Sequence, residues 1–343
     1  RIEKINGVQV VRVPGTKRSR FPRLTAVQEK FKLAKLICTL HQQDPFTLIE
    51  AEDGGGRLAL GRLPDIPKIV RLHATTIYND YVLQRKPSRL NHLFEYLWIR
   101  RANFIIAVSD YVGKTTLQLT HLRQKKTYTI IHYAIDTNFF KPLPDIPVKA
   151  GLILFTGVVA PRKGVQELIQ AMNIVFSQIP SAELWLLGDN NYEVNGEPFS
   201  KQIIQSLEAP FTNRVVFLGN KSREELPVYL QQAEVCCFPS HVETFGIGII
   251  EAMAMEKPVI FMQNGPGPEV IEDRKSGLLC DSWNPEDIAK KILFLFKNKE
   301  MANSLGKNAR NRVIENFEKE SWIERNLVYY NKCLIDFQEN RHG

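Results

Sequence analysis

Strand-like and helix-like segments alternate along this chain, stop at one proline-rich stretch, and then begin to alternate again. In the first half, Gly7–Val13 reads as a strand, Thr25–Leu40 as a helix, and Phe46–Glu50 and Ile69–Leu72 as buried strands. Leu90–Arg101 then reads as a helix, Phe104–Ser109 as a strand, Val112–Thr120 as a helix and Tyr128–Ile131 as a strand. Lys141–Pro142–Leu143–Pro144–Asp145–Ile146–Pro147 breaks the rhythm, and its prolines make it a stiff extended connector. Beyond it, Leu152–Thr156, Glu183–Leu187, Val215–Leu218, Val235–Phe238 and Pro258–Met262 read as strands. Helical stretches follow at Val165–Gln178 and Ile247–Met255, and three more near 285–298, 301–316 and 321–338. A βαβ rhythm calls for parallel strands joined by crossover helices. At 343 residues the chain exceeds the size at which one core keeps growing. The expected fold class is α/β, with two doubly wound parallel-sheet domains over residues 1–143 and 148–318.

The bulk properties narrow the class further. A hydrophobic content of 44% with 24% charged residues is ordinary for a soluble globular protein. No run approaches the roughly 18 apolar residues of a membrane-spanning helix. No signal peptide is visible, and because the chain opens on Arg1 its natural start is expected to lie upstream. Five cysteines without a C-x-x-C spacing point to a reducing, cytoplasmic location, and Cys236–Cys237 read as small buried hydrophobes. The seven histidines form no metal-ligand pattern, so no metal site is expected.

Charge is divided unevenly. Residues 1–150 carry 25 Lys+Arg against 12 Asp+Glu, or +13, and the remainder carries 20 against 25, or −5, summing to +8. Basic clusters fall at Lys17–Arg18, Arg20, Arg23, Lys30–Lys32–Lys35, Arg85–Lys86 and Lys125–Lys126. Attraction to an anionic membrane surface or a phosphorylated acceptor lipid is one reading. A merely solvated basic face is the other. Nucleic acid is disfavoured, because the basic residues lack interleaved aromatics.

The chemistry concentrates in the second half. Phe238–Pro239–Ser240–His241–Val242–Glu243–Thr244–Phe245–Gly246 follows a strand, which sets Glu243 in a loop at its carboxyl end. Open α/β sheets place their ligands there. Glu251 falls eight residues on, inside the next helix. Two carboxylates suit a ligand rich in hydroxyls, since each accepts hydrogen bonds from neighbouring O–H groups. Either Glu alone reads as readily as a solvated helix residue or one that complements the dipole. Upstream, Gly157–Val158–Val159–Ala160–Pro161–Arg162–Lys163–Gly164 joins a strand to a helix start. Backbone N–H groups there favour an anion, and cations beside them oppose the dipole unless an anion is bound. His73 ends its strand, and a lone His in that place is more often structural than catalytic.

Together, Pro239–Ser240, Glu243, Phe245–Gly246 and Glu251 resemble the Glu-x7-Glu signature of family 4 glycosyltransferases of the GT-B fold. Gly157–Gly164 is similar to that family's Gly-Arg-x-x-x-x-Lys-Gly motif. Arg101–Ala102–Asn103 to Val108–Ser109, Ile135–Asp136 to Pro142, and Gly265–Pro266–Gly267–Pro268–Glu269 are further points of likeness. The resemblance implies two Rossmann-like domains facing a cleft, with 319–343 a final helix packing back on the first through Trp322–Ile323 and Leu327–Tyr330. It implies a retaining, metal-independent transferase that moves sugar from a nucleoside-diphosphate sugar to a sugar, glycan or lipid-linked acceptor, with no cofactor. Glu243 would hold the donor sugar, helped by the backbone around Phe245, Gly246 and Ile247, and Glu251 the ribose. Gly157, Arg162 and Lys163 would hold the diphosphate. His73 would face the donor sugar as a catalytic group, and Gly188 and Lys221 would lie on the base side. Three departures stand out: Val158 occupies the usual Arg position, Tyr133–Ala134 replaces Asn-Gly, and the first domain is expected to lack its opening strands. They leave a catalytically impaired nucleotide-sugar-binding protein, or a GT-B sugar-nucleotide epimerase, as alternatives.

Overall fold

The computed structural model describes residues 2–14 and 21–342, so Lys17, Arg18 and Arg20 lie outside the described residues. An antiparallel hairpin comes first, pairing β1 (Ile2–Ile5) with β2 (Val8–Val11). Its turn residues Asn6 and Gly7 both take positive φ, 49° and 84°, the twist that a two-residue hairpin needs. The strand expected at 7–13 is therefore the second arm of a hairpin. The first domain continues with α1 (Pro22–Gln43), β3 (Ile49–Glu52), β4 (Lys68–Leu72), α2 (Thr76–Val82) and α3 (Arg89–Arg101). It ends with β5 (Phe104–Ala107), α4 (Asp110–Leu119) and β6 (Thr129–Ile130). Strands β3 to β6 form one parallel sheet in sequence order. Ile69, Val70, Leu72, Ile105 and Ile106 are fully buried in it, as strands covered on both faces require.

The second domain runs β7 (Leu152–Thr156), α5 (Val165–Gln178), β8 (Glu183–Leu187), a short hairpin of β9 (Glu193–Val194) and β10 (Glu197–Pro198), and α6 (Phe199–Ile204). It continues through β11 (Val215–Gly219), α7 (Leu226–Gln232), β12 (Val235–Phe238), α8 (Ile247–Ala254), β13 (Val259–Met262) and α9 (Gly267–Val270). Then come β14 (Leu278–Cys280), α10 (Pro285–Lys297) and α11 (Lys299–Asn316). Six parallel strands are ordered β11-β8-β7-β12-β13-β14. From β7 the chain builds outward through β8 and β11, then returns to the other side of β7 for β12, β13 and β14. The loops leaving the adjacent strands β7 and β12 consequently diverge, which opens a crevice at their carboxyl ends.

After α11 the chain crosses back. Ile135 N–H donates to the Phe317 carbonyl and Lys319 N–H to the Ile135 carbonyl, both at 3.0 Å. Helix α12 (Lys319–His342) then lies on the first sheet, where Trp322, Tyr329, Tyr330 and Cys333 pack on Ile69, Ile106 and Ile131. Beneath it, buried Arg71 forks onto Glu50 at 2.7 and 3.2 Å and reaches Asn326 at 2.6 Å. The inward stripe is Trp322, Asn326, Tyr329–Tyr330 and Cys333, at helical spacing. Ile323, Leu327 and Val328, expected on that stripe, are exposed instead, because the helical spacing of the inward residues turns them to the opposite face. Among the described residues, no helix is long and apolar enough to cross a membrane.

Candidate functional site

A cavity of about 520 Å³ fills the crevice between the divergent loops, well within the size of small-molecule sites. Gly157, Arg162, Lys163, Gly188, Lys221, Glu243, Gly246, Ile247 and Glu251 all line it. They come from the loops after β7, β8, β11 and β12 and from α8. Two of the residues named from the sequence do not line it. Phe245 is fully buried, packed against His132 and Phe317 at 5.2 Å between ring centroids, so only its backbone is near the cavity. His73 is half-buried behind Tyr133, with which it shares a short hydrogen bond and a stacked contact. Tyr133, noted from the sequence only as a departure from the family's Asn-Gly, lines this cavity from the first domain. Asn220, Ser240 and Thr244 also line it, and none of them has a role assigned from the sequence; their neighbours Lys221 and Glu243 were the available signal.

Local backbone chemistry sets these groups together. Gly164 caps α5 in the left-handed region, φ 64°, and a Cβ there would fall 1.7 Å from the Pro239 carbonyl oxygen. Only glycine lets the start of α5 approach the loop after β12 so closely. The Arg162 carbonyl then accepts from the N–H groups of His241 (3.0 Å) and Val242 (3.2 Å). This docks the Glu243 loop onto the Arg162–Lys163 turn. Gly188 makes a second close approach, since a Cβ on it would meet the Gly157 carbonyl at 2.1 Å. Helix α5 has no side-chain cap, which leaves its first-turn N–H groups for an anion.

The electrostatics divide the cavity. Lys163 and Glu243 form an ion pair, and Ser240 Oγ donates to the same carboxylate oxygen at 3.2 Å. Arg162 adds a second cation on that side. Glu251 stands apart from these, its carboxyl pushed up to about 7 by burial, with Arg223 opposing the shift. A carboxylate held this dry gains from any hydroxyl that donates to it. Behind the wall, burial and the Arg71 charge hold the His73 imidazole below its usual range, while burial pushes the Tyr133 phenol up to about 12. Both are neutral near pH 7. Next to them Asp53 is pushed up to about 7, again by burial. One of its carboxyl oxygens has no hydrogen-bond partner among the described residues.

The first domain grips the Glu243 loop directly. Tyr78 Oη donates to the Glu243 carbonyl at 2.7 Å, and Ser109 Oγ to the Thr244 carbonyl at 2.8 Å. Glu269, at α9, accepts the N–H groups of Asp110 (2.7 Å) and Tyr111 (2.9 Å) at the start of α4. Ser109 Oγ accepts the next, from Val112, at 3.2 Å. A negative group from one domain thus caps a helix of the other.

Residues 136–312 match the model of the family described as glycosyl transferases group 1. The chain belongs to the glycosyl transferases group 1 family. The match covers about half of the 343 residues, from just before the proline-rich connector to α11. Among curated proteins this family member is 28% identical over 258 residues to the uncharacterized glycosyltransferase MJ1178 of Methanocaldococcus jannaschii, covering 75% of this chain and 65% of that one. It therefore spans less than two thirds of that relative's length. Sucrose-phosphate synthase from Thermosynechococcus elongatus has the same fold, with a TM-score of 0.78 at 22% identity over 98% of this chain and 86% of that one. Anabaena HepE in complex with UDP aligns with a TM-score of 0.72 at 22% identity, over 88% and 83% of the two chains. The architecture of this group 1 protein is the GT-B fold of two parallel-sheet α/β domains.

Proposed function

We propose that this group 1 family member is a retaining, family 4 glycosyltransferase that takes sugar from a nucleoside-diphosphate sugar. One observation carries the reading: two cations beside an uncapped helix start share a single cavity with two carboxylates of different character. The diphosphate would sit between Arg162, Lys163 and the first N–H groups of α5. Negative charge that develops on the leaving diphosphate is stabilised there, where the donors are already aimed. These cations supply the charge, so the reading calls for no metal. Arg162 lines the same cavity as Val158 and would supply the charge that an Arg at 158 would have brought. That supports a working enzyme over an impaired binding protein.

Glu243 would accept hydroxyls of the donor sugar once the diphosphate competes for Lys163. Glu251 would hold the ribose, and Gly188, Asn220 and Lys221 the base side. A same-face displacement assisted by the leaving phosphate needs no protein nucleophile, and none of the cavity groups is asked to be one. His73 would act only after Tyr133 swings aside; otherwise the phenol faces the sugar in its place. The excess of basic residues in the first 150 supports peripheral attachment to an anionic surface, and the five unpaired cysteines support a cytoplasmic setting.

A thermal-shift screen of nucleoside diphosphates and their sugars tests this reading, because a ligand of the native state raises its melting temperature. HepE holds UDP, so uridine nucleotides head the screen. One base should stand out, and its sugar nucleotide should stabilise more than the bare diphosphate. A flat response across every nucleotide would sink the donor assignment.

A further inference from the structure

Two more cavities continue the donor cleft outward. The nearer, about 600 Å³, shares Arg162, Glu243 and Thr244 with the donor cavity and adds Asn79, Arg85 and Tyr192. The farther, also about 600 Å³, shares Leu83, Pro161 and Arg162 with the nearer one and is closed by Gln166, Glu167, His241 and Trp283. Arg162 is a wall of all three. A continuous groove therefore leads from Glu243, between the end of α2 and the start of α5, to Trp283.

Trp283 is 66% exposed. Single exposed aromatics are commonplace, but this one is fixed in place. Its ring lies flat on His241, with centroids 3.5 Å apart and planes 13° from parallel. The His241 side chain is itself buried, and its Nε2 meets Glu167 at 3.0 Å. Asp281 Oδ1 accepts the Trp283 backbone N–H at 3.1 Å, which holds the loop. The indole is thus backed and braced before any ligand arrives. Tyr192, 39% exposed, offers a second ring in the nearer cavity.

A braced indole and a second aromatic ring among polar groups suit one ligand chemistry in particular. The C–H bonds on a pyranose face carry slight positive charge and meet the negative face of a ring. The hydroxyl rim of the same sugar needs donors and acceptors, which Asn79, Arg85, Gln166 and Glu167 present. An acyl chain would want an unbroken apolar wall instead. We propose that this groove is the acceptor site and that its occupant is a glycan of several sugar units. Its accepting end lies beside Glu243 and its body runs past Tyr192 to stack on Trp283. The proposal rests on the donor reading above, which places the reacting end.

An array of defined oligosaccharides, probed with the whole chain in the presence of the stabilising nucleoside diphosphate, identifies a ligand. Calorimetric titration then compares the best oligosaccharide with its constituent monosaccharide. The wild type should bind the oligosaccharide about tenfold more tightly or better, the scale of one aromatic contact. Trp283→Ala should lose that advantage while binding the monosaccharide and the nucleoside diphosphate as before, and Trp283→Phe should recover most of it. If the wild type captures no oligosaccharide, or Trp283→Ala captures it equally well, the groove is not a glycan site. Failure of the donor reading looks different, since the wild type would then bind no nucleotide at all.

Discussion

At the scale of single residues, burial and charge assign different tasks to groups that look alike in sequence. Burial pushes the Glu251 carboxyl up to about 7, and its charged form is the one proposed to accept ribose hydroxyls. Lowering the pH through 7 should therefore weaken nucleotide binding, by about tenfold between pH 8 and pH 6. Glu251→Gln should bind more weakly at pH 8 and lose that part of the pH dependence, leaving the phosphate's own titration; calorimetry at both pH values checks it. Asp53 offers a stability test with the opposite emphasis. Its folded-state value of about 7 lies above the 3.8 of an ordinary Asp, so the folded state holds the proton more tightly. Its contribution is most favourable below about pH 4 and is lost as pH rises through 7. Asp53→Asn should gain on the wild type between pH 5 and pH 8, on the order of 2 kcal/mol by urea unfolding; an unchanged difference would refute the buried charge. Glu243, Glu251, Arg162 and Lys163 were legible because their motifs are local, a strand, a turn and a helix start in one stretch. The covering of His73 by Tyr133 joins residues sixty positions apart, and no local pattern carries that pairing.

Among elements, the contact between α4 and α9 joins the two domains at the loop that carries Glu243. Removing Glu269 takes two charge-assisted hydrogen bonds from the start of α4, each worth about 1.5–3 kcal/mol. Glu269→Ala should lower stability by at least one such bond in urea unfolding. It should also raise the KM for the nucleotide sugar, because the domain contact that braces the Glu243 loop is loosened. A loss of stability with KM unchanged would make Glu269 a cap and nothing more. The long strands and helices of both sheets were readable from periodicity. Several short elements were not: α2, α6, α7 and the three-residue β14 are too brief for a period to emerge. The seating of α12 was misread in detail, because its inward stripe includes Asn326, a polar residue that no hydrophobicity pattern selects.

For the whole molecule, charge asymmetry and domain arrangement matter together. If the proposed peripheral attachment holds, the excess of +13 in the first 150 residues against −5 in the rest would turn the first domain toward the anionic surface. Phe21 and Leu24, both more than half exposed, flank Arg23 on that side. The chain should sediment with vesicles containing phosphatidylserine, release on raising salt, and ignore neutral phosphatidylcholine; equal binding to both would leave the basic face merely solvated. Release of nucleoside diphosphate from its sugar nucleotide probes the cleft that the two domains enclose. Incubated with a panel of sugar nucleotides, the wild type should slowly release diphosphate from one of them. Glu243→Ala should cut that release by about a hundredfold or more while still binding the diphosphate, because the sugar, not the phosphate, has lost its partner. Undiminished release by Glu243→Ala, or no release from any sugar nucleotide by the wild type, would contradict the account.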